Sequence, residues 1–302
     1  MNYDYTNDYK ILSDDKSYGL EINSSNKFKP NLNPIKENSE IIINYSDFSL
    51  EKLNKLVMTD FIIGEGSSSC IYKGTYDNQP VGVKKINKEW IIETDIKNIK
   101  DEINIHSKLN HKNVIKLIDT YENNDSIKMV LEYAESDVKQ LIRKSRVNET
   151  RCKSITAEIL NGVKYLHDNN VIHRDMKPAN ILLKDNVPKI CDFGLSKNSK
   201  LIRNDELVGS HGYIAPEIHN GYSYTSKVDM WALGIIIFQM IGGYHPYSDI
   251  PCKYSANKIN YDNRYWENIS EDGKNFIDNL LVCDPHDRMS ASDALYHKWL
   301  CI

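Results

Sequence analysis

The chain has no C-x-x-C pair and no cluster of histidine and cysteine at zinc-ligand spacing. Its cysteines (Cys70, Cys152, Cys191, Cys252, Cys283 and Cys301) stand far apart, which argues against a structural zinc site or a small disulfide scaffold and fits free thiols in a reducing compartment. No apolar run approaches the roughly 20 residues that cross a bilayer. The most apolar stretch, from Ala232 to Gly243, reads instead as a buried core helix. The opening MNYDYTNDYK has early acids and no apolar run, so neither a secretory leader nor an Arg-rich transit peptide is expected, and without Gly at position two neither is myristoylation. A strong positive field is missing too: net charge is −4 and the pI about 6.2, so neither nucleic acid nor a membrane is an expected partner. The expected location is the cytoplasm, with nuclear entry, or a host cytoplasm for a viral chain, left open.

The composition is that of a globular chain, 40% hydrophobic and 26% charged, and 302 residues suffice for two lobes and an appendage. Residues 1–50 are rich in Asn, Asp, Ser, Lys and Tyr, Pro30 and Pro34 interrupt any helix, and no apolar period is sustained. Five lysines against eight acids give this segment −3 of the net −4. It is expected to be a flexible, low-complexity extension, either a solvated linker or a docking or autoregulatory tail.

Near Ser46 the pattern changes. Leu50, Leu53 and Leu56 recur at helical spacing before an apolar run at 61–63 leads into a glycine turn. Strands are expected at 61–63, 70–73, 81–86, 114–121 and 127–133, around one long helix at about 96–109, and helices dominate after Val138. This ordering implies an α+β, bilobal chain. A small β-rich N-lobe with one major helix spans about 58–133, and a larger, mainly helical C-lobe about 134–302.

In the first chemical constellation, Gly64-Glu65-Gly66-Ser67-Ser68-Ser69-Cys70-Ile71, small residues between two strands let backbone N–H groups approach phosphate oxygens. An ordinary hairpin explains two glycines equally well, and Ser69 stands where a G-x-G-x-x-G pattern has its third glycine. Thirteen residues past Ile71, Lys84 in VGVK can reach nucleotide phosphates from a strand, although strand lysines are usually surface residues. Glu102 in DEINIHSKLNH can turn toward Lys84 while Ile103 and Ile105 face inward.

The strongest pattern is His173-Arg174-Asp175-Met176-Lys177-Pro178-Ala179-Asn180, a polar loop between the apolar pairs Val171-Ile172 and Ile181-Leu182. Asp175 can accept a hydroxyl proton, Lys177 can neutralise phosphoryl charge and Asn180 can hold a metal. Twelve residues on, Asp192-Phe193-Gly194 places a carboxylate suited to Mg²⁺ at a strand end; alone it would read as a turn.

Together with Ala215-Pro216-Glu217, the run Asp229 to Gly234 and Arg288, these features resemble the eukaryotic protein kinase superfamily across about residues 58–302. The C-lobe is similar to the calcium/calmodulin-dependent kinase group, the N-lobe to tyrosine-kinase-like kinases. The resemblance implies the bilobal protein kinase fold and transfer of the γ-phosphate of ATP, with Mg²⁺ or Mn²⁺, to Ser/Thr hydroxyls of protein substrates. It implies catalytic roles for Asp175, Lys177 and Asn180, and metal ligation by Asn180 and Asp192. Nucleotide contacts are implied for Ile63, Gly64, Glu65, Gly66, Ser67, Ser68, Ser69, Cys70, Ile71, Gly82, Lys84, Glu102, Leu131, Glu132, Ala134 and Leu182. Asp229 should brace the catalytic loop and Glu217 should pair with Arg288. Lys177 follows the serine/threonine pattern, and Ser210, in place of the usual threonine, should bond Asp175 and Lys177.

Several positions depart from the family's pattern. Gly82 replaces an alanine over the adenine ring, and His106 replaces an apolar residue on Phe193, so its polar tip needs a partner. Cys191 should be a small apolar floor residue. Ala179 and Gln239 replace acids that select arginine upstream of the target, so strong arginine selection is not expected. Glu206, where activation-loop phosphate usually sits, could pair with Arg174 or simply be solvated. With HKWL at the end and no EF-hand pattern, no calmodulin-binding tail is expected. The competing reading is a pseudokinase-like scaffold that binds nucleotide without transferring phosphate.

Overall fold

The structure, a computed structural model, describes residues 55–66, 69–202, 207–247 and 259–301. The expected N-terminal extension, Leu50, Leu53, Ser67, Ser68 and Glu206 all lie outside the described residues.

Five antiparallel strands form the first sheet: β1 (Leu56–Glu65), β2 (Ser69–Tyr76), β3 (Gln79–Asn87), β4 (Leu117–Glu122) and β5 (Ser126–Glu132), in the order β1-β2-β3-β5-β4. Leu56, grouped above with a helical spacing, begins a strand. The sheet is knit by alternating apolar residues, and Met58, Val81, Val83, Tyr121 and Val130 form its own small core. Asp77 and Asn78, both at positive φ, make the tight β2–β3 turn, where short polar side chains tolerate the left-handed region.

The single long helix of this lobe, α1 (Glu93–His106), starts and stops three residues earlier than expected. Asp95 explains the start: its carboxylate accepts the Ile92 N–H at 3.1 Å, satisfying a donor that the helix leaves open. Ile105 turns inward with Glu102 and His106, whereas Ile103 is only half-buried. The expected strand at 114–121 shortens to Leu117–Glu122, because the segment before it is drawn to the other lobe. Ile115 N–H bonds the Ile190 carbonyl, and Ile190 N–H the Asn113 carbonyl, both at 2.9 Å.

The chain leaves β5 through Tyr133–Glu135 and enters β6 (Ser136–Asp137), α2 (Val138–Lys144) and α3 (Glu149–Asp168). Asn148 caps α3 by accepting the Arg151 N–H at 2.9 Å. Cys152, Ile155, Ile159, Val163 and Leu166 recur at helical spacing and bury one face. Short strands β7 (Val171–Ile172), β8 (Ile181–Lys184), β9 (Val187–Ile190) and β10 (Lys197–Asn198) carry the polar loops, in a β6-β8-β9 sheet and a β7-β10 pair.

After α4 (Pro216–His219) comes α5 (Lys227–Gly242), apolar on all sides and buried along nearly its whole length. It is the central post of the larger core, and Gly243 at φ 79° ends it in the left-handed region. Among the described residues three shorter helices follow it, α6 (Asn263–Trp266), α7 (Glu271–Leu280) and α8 (Ala291–Leu295). No helix among the described residues is long and apolar enough to cross a membrane.

Candidate active site

The glycine turn joins β1 to β2. Gly66 N–H bonds the Ser69 carbonyl at 2.8 Å, closing the loop, and a Cβ on Gly66 would approach Ser69 Oγ to 3.1 Å. Next to it in the sheet, Lys84 on β3 stands opposite Ile71 of β2 and Met129 of β5. Its ammonium lies 2.7 Å from Glu102 Oε1 and 3.2 Å from Asp192 Oδ1, so one cation ties the sheet, helix α1 and the segment after β9. Burial disfavours the charged ammonium, but the two carboxylates outweigh it and hold the Lys84 pKa above its usual value. Lys84 in turn holds the Asp192 carboxyl below the usual carboxylate range, aided by hydrogen bonding and against the effect of burial. Glu102 is buried, while the Asp192 side chain remains 46% exposed.

The polar loop after β7 hangs from the first turn of α5. Buried Asp229 accepts the His173 N–H at 3.0 Å and the Arg174 N–H at 2.9 Å, with His167 Nε2 2.8 Å from the same carboxylate. Burial raises the Asp229 pKa, yet these donors, His167 foremost, bring it below the ordinary value. Arg174 and Asp192 both adopt positive φ, 66° and 65°, a costly backbone for non-glycine residues that the surrounding bonds enforce. The Arg174 guanidinium donates to the Leu195 carbonyl at 2.5 Å and the Tyr224 hydroxyl at 3.0 Å.

Each oxygen of Asp175 has its own partners. Oδ1 accepts from the Ser210 N–H at 2.9 Å and hydroxyl at 2.7 Å; Oδ2 accepts from Asn180 Nδ2 at 3.0 Å and lies 3.1 Å from Lys177 Nζ. Lys177 also donates to Ser210 Oγ at 2.9 Å. The predicted Asp175, Lys177, Asn180 and Ser210 therefore converge, and their carboxylate and ammonium suit a hydroxyl acceptor and a transferring anion respectively.

Phe193 is fully buried between two imidazoles, with ring centroids 4.7 Å from His106 and 5.3 Å from His173. His106 Nε2 donates to the Ile115 carbonyl at 2.7 Å, so its polar tip has found a partner. Burial pushes the His106 pKa down to about 4, and the ring stays neutral near pH 7. Cys191 sits beside this site, and burial first, then the adjacent Asp192, pushes its thiol pKa up.

At the lobe junction, Gly82 stands opposite Leu131 and Val81 opposite Glu132. A Cβ on Gly82 would make ordinary contacts with Ile71 at 3.6 Å and Ile63 at 3.8 Å, so those residues border one apolar space. Leu182 belongs to β8 and faces Asp137 of β6 in the register. The Glu132 side chain is engaged elsewhere: its carboxylate accepts from Lys184 at 2.8 Å and pairs with Lys189 at 3.0 Å, and its N–H donates to the Lys116 carbonyl at 2.9 Å, leaving its backbone carbonyl as the part able to meet a nucleotide. Tyr133 and Ala134 follow it in the connection to β6.

A divalent cation fits this donor set. Asn180 spends its amide nitrogen on Asp175, leaving Oδ1 as an oxygen donor, and Asp192 is ionised, a hard-oxygen pair suited to such ions. No group of three or more His, Cys, Asp or Glu at metal-binding distance occurs among the described residues, and phosphate oxygens and water would complete the shell. Sequence reading missed the supports: His167 behind Asp229, Tyr224 behind Arg174, and Tyr213, whose hydroxyl donates to Gln239 Oε1 at 2.8 Å. These pairs are 26 to 62 residues apart, and no local spacing announces them.

The sequence matches the family described as protein kinase domain over residues 58–300. It is similar to two Dictyostelium discoideum proteins. One, named as a probable myosin light chain kinase, is 32% identical over 255 residues, covering 79% of this chain and 64% of that protein. The other, myosin light chain kinase A, is 34% identical over 252 residues, covering 79% and 85%. Human calcium/calmodulin-dependent protein kinase type IV is 31% identical over 284 residues, covering 84% and 57%. The chain thus spans less than two thirds of the length of the first and third of these relatives.

Proposed function

The chain belongs to the protein kinase family, and from that premise we propose that it is an ATP-dependent serine/threonine protein kinase, moving the γ-phosphoryl group of ATP onto Ser and Thr hydroxyls of protein substrates. The observation that carries the reading is the Asp175 carboxylate, held by Ser210 on one oxygen and by Asn180 and Lys177 on the other. Asp175 orients the acceptor hydroxyl and takes its proton as the new O–P bond forms and the bond to ADP breaks. Lys177 donates to the transferring phosphoryl group. Lys84, fixed by Glu102, meets the α- and β-phosphates, and the Gly64–Gly66 backbone covers them. Ile63, Ile71, Gly82, Leu131, Ala134 and Leu182 enclose the adenine. Asn180 and Asp192 would hold a divalent cation, Mg²⁺ with Mn²⁺ as the alternative, which supplies charge neutralisation across the β- and γ-phosphates when bound.

The scaffold alternative loses support because Lys84, Glu102, Asp175, Asn180 and Asp192 are all present and ion-paired or hydrogen-bonded. Gln239 is occupied by the Tyr213 hydroxyl, in keeping with weak selection for arginine upstream of the target. The expected site of action is the cytoplasm, a reducing compartment in which dispersed cysteines stay free thiols. A peptide array with radiolabelled ATP tests this reading. Label on Ser and Thr peptides without strong arginine enrichment supports it, whereas label confined to Tyr peptides contradicts it.

A further inference from the structure

Behind the lobe junction lies a second concavity of about 180 Å³, lined by Leu109, Asn110, His111, Lys112, Val114, Lys116, Glu132 and Lys189. It is chemically unlike the cleft on the other side. Three lysines against one carboxylate give its walls a surplus of two positive charges. In the next ring outward Glu158, bound to Lys112 at 2.9 Å, and Lys184, bound to Glu132 at 2.8 Å, cancel one another.

The lysines are not equivalent. Lys189 is largely buried and committed, to Glu132 at 3.0 Å and to the Lys112 carbonyl at 2.9 Å, and Lys112 is paired with Glu158. Lys116 is exposed, and among the described residues no carboxylate or carbonyl accepts from its ammonium. His111 is held by stacking on Tyr165, ring centroids 4.8 Å apart, and its Nδ1 accepts the Asn113 N–H at 3.1 Å. The neutral ring therefore carries its proton on Nε2, a further donor on the wall.

We infer that this rear concavity is a binding site for a single phosphoryl group, gripped by Lys116, Lys112 and the His111 N–H, and coupled to the nucleotide cleft through Glu132. A phosphate monoester carries roughly −1.5 to −2 at pH 7, which matches the surplus, while a lone carboxylate would leave it half-neutralised. The coupling follows from Glu132, whose carboxylate accepts from Lys189 and from the Lys116 N–H at 3.3 Å while its backbone continues into the lobe connection. An anion that draws Lys116 toward itself shifts the Lys116 backbone, whose N–H bonds that carboxylate and whose carbonyl accepts the Glu132 N–H at 2.9 Å, and so moves the residue whose backbone meets adenine. The coupling rests on the reading of the cleft as an ATP site; the binding does not.

The full chain is titrated calorimetrically, at constant ionic strength, with inorganic phosphate, with a phosphoserine peptide and with its unphosphorylated form. Wild type should bind the phosphorylated probes and not the third, Lys116→Gln should bind about tenfold more weakly or worse, and Lys116→Arg should restore binding. Tighter binding of the peptide assigns the phosphoryl group to a polypeptide, and equal binding assigns it to free phosphate. The same probe should raise the KM for ATP about threefold in wild type and leave Lys116→Gln unchanged. No binding by wild type, or equal binding by Lys116→Gln, overturns the site, and binding without a change in KM overturns the coupling.

Discussion

Arg288 closes on Glu217 through two parallel hydrogen bonds, 2.8 and 3.0 Å long, with both side chains buried and 71 residues of chain between them. The pair fastens α4, just after the segment that carries Ser210, to the far end of the C-lobe. Its remaining guanidinium protons go to the Val282, Cys283 and Lys227 carbonyls, so the ion is fully solvated by protein.

Breaking that pair from one side leaves an uncompensated buried charge. Glu217→Ala should lower unfolding stability by about 3–5 kcal/mol. The measurement is a urea titration of both proteins. A loss below about 1 kcal/mol would mean that Arg288 finds other partners.

Gly82 leaves a small apolar space between Ile63 and Ile71 that a methyl group fills without a clash. Gly82→Ala should add a contact worth about 0.8 kcal/mol and lower the KM for ATP roughly fourfold. It should also raise stability by about 0.4–1 kcal/mol through the unfolded chain. An increase in KM would show that the added methyl obstructs the nucleotide.

His106 makes stability depend on acid. Its native pKa of about 4 lies below the unfolded value of about 6.5. Between those values the unfolded chain binds a proton that the native chain refuses, so this contribution is complete above pH 6.5, falls as the pH drops and levels off below about 4. It amounts to about 3 kcal/mol across the window. Since His111, His219, His245 and His297 also have lowered pKa values, the test is a difference. The gap in stability between wild type and His106→Leu should shift by that amount from pH 7 to pH 4, and a gap independent of pH would sink the assignment.

Much of this was legible from residue order. Lys84, Glu102, Asp175, Asn180 and Asp192 were each placed by a local pattern, and the chain brings them into two linked clusters. The partner of His106 was foreseen as a need, not as Ile115. What local pattern could not show were bonds made across the fold. The shortening of β4 depends on Ile190, and the bracing of Asp229 on His167, partners tens of residues away. Nor does a glutamate at the end of β5 reveal that its carboxylate turns backward to Lys184 and Lys189.

The central claim is that Asp175 acts on a protein hydroxyl, and the direct test is γ-phosphate transfer from radiolabelled ATP by wild type and Asp175→Ala, with nucleotide binding measured on both. The account predicts that wild type labels a serine-containing protein substrate. It also predicts that Asp175→Ala labels it about 10²–10⁴-fold more slowly while still binding ATP. Equal labelling by the two proteins would contradict it.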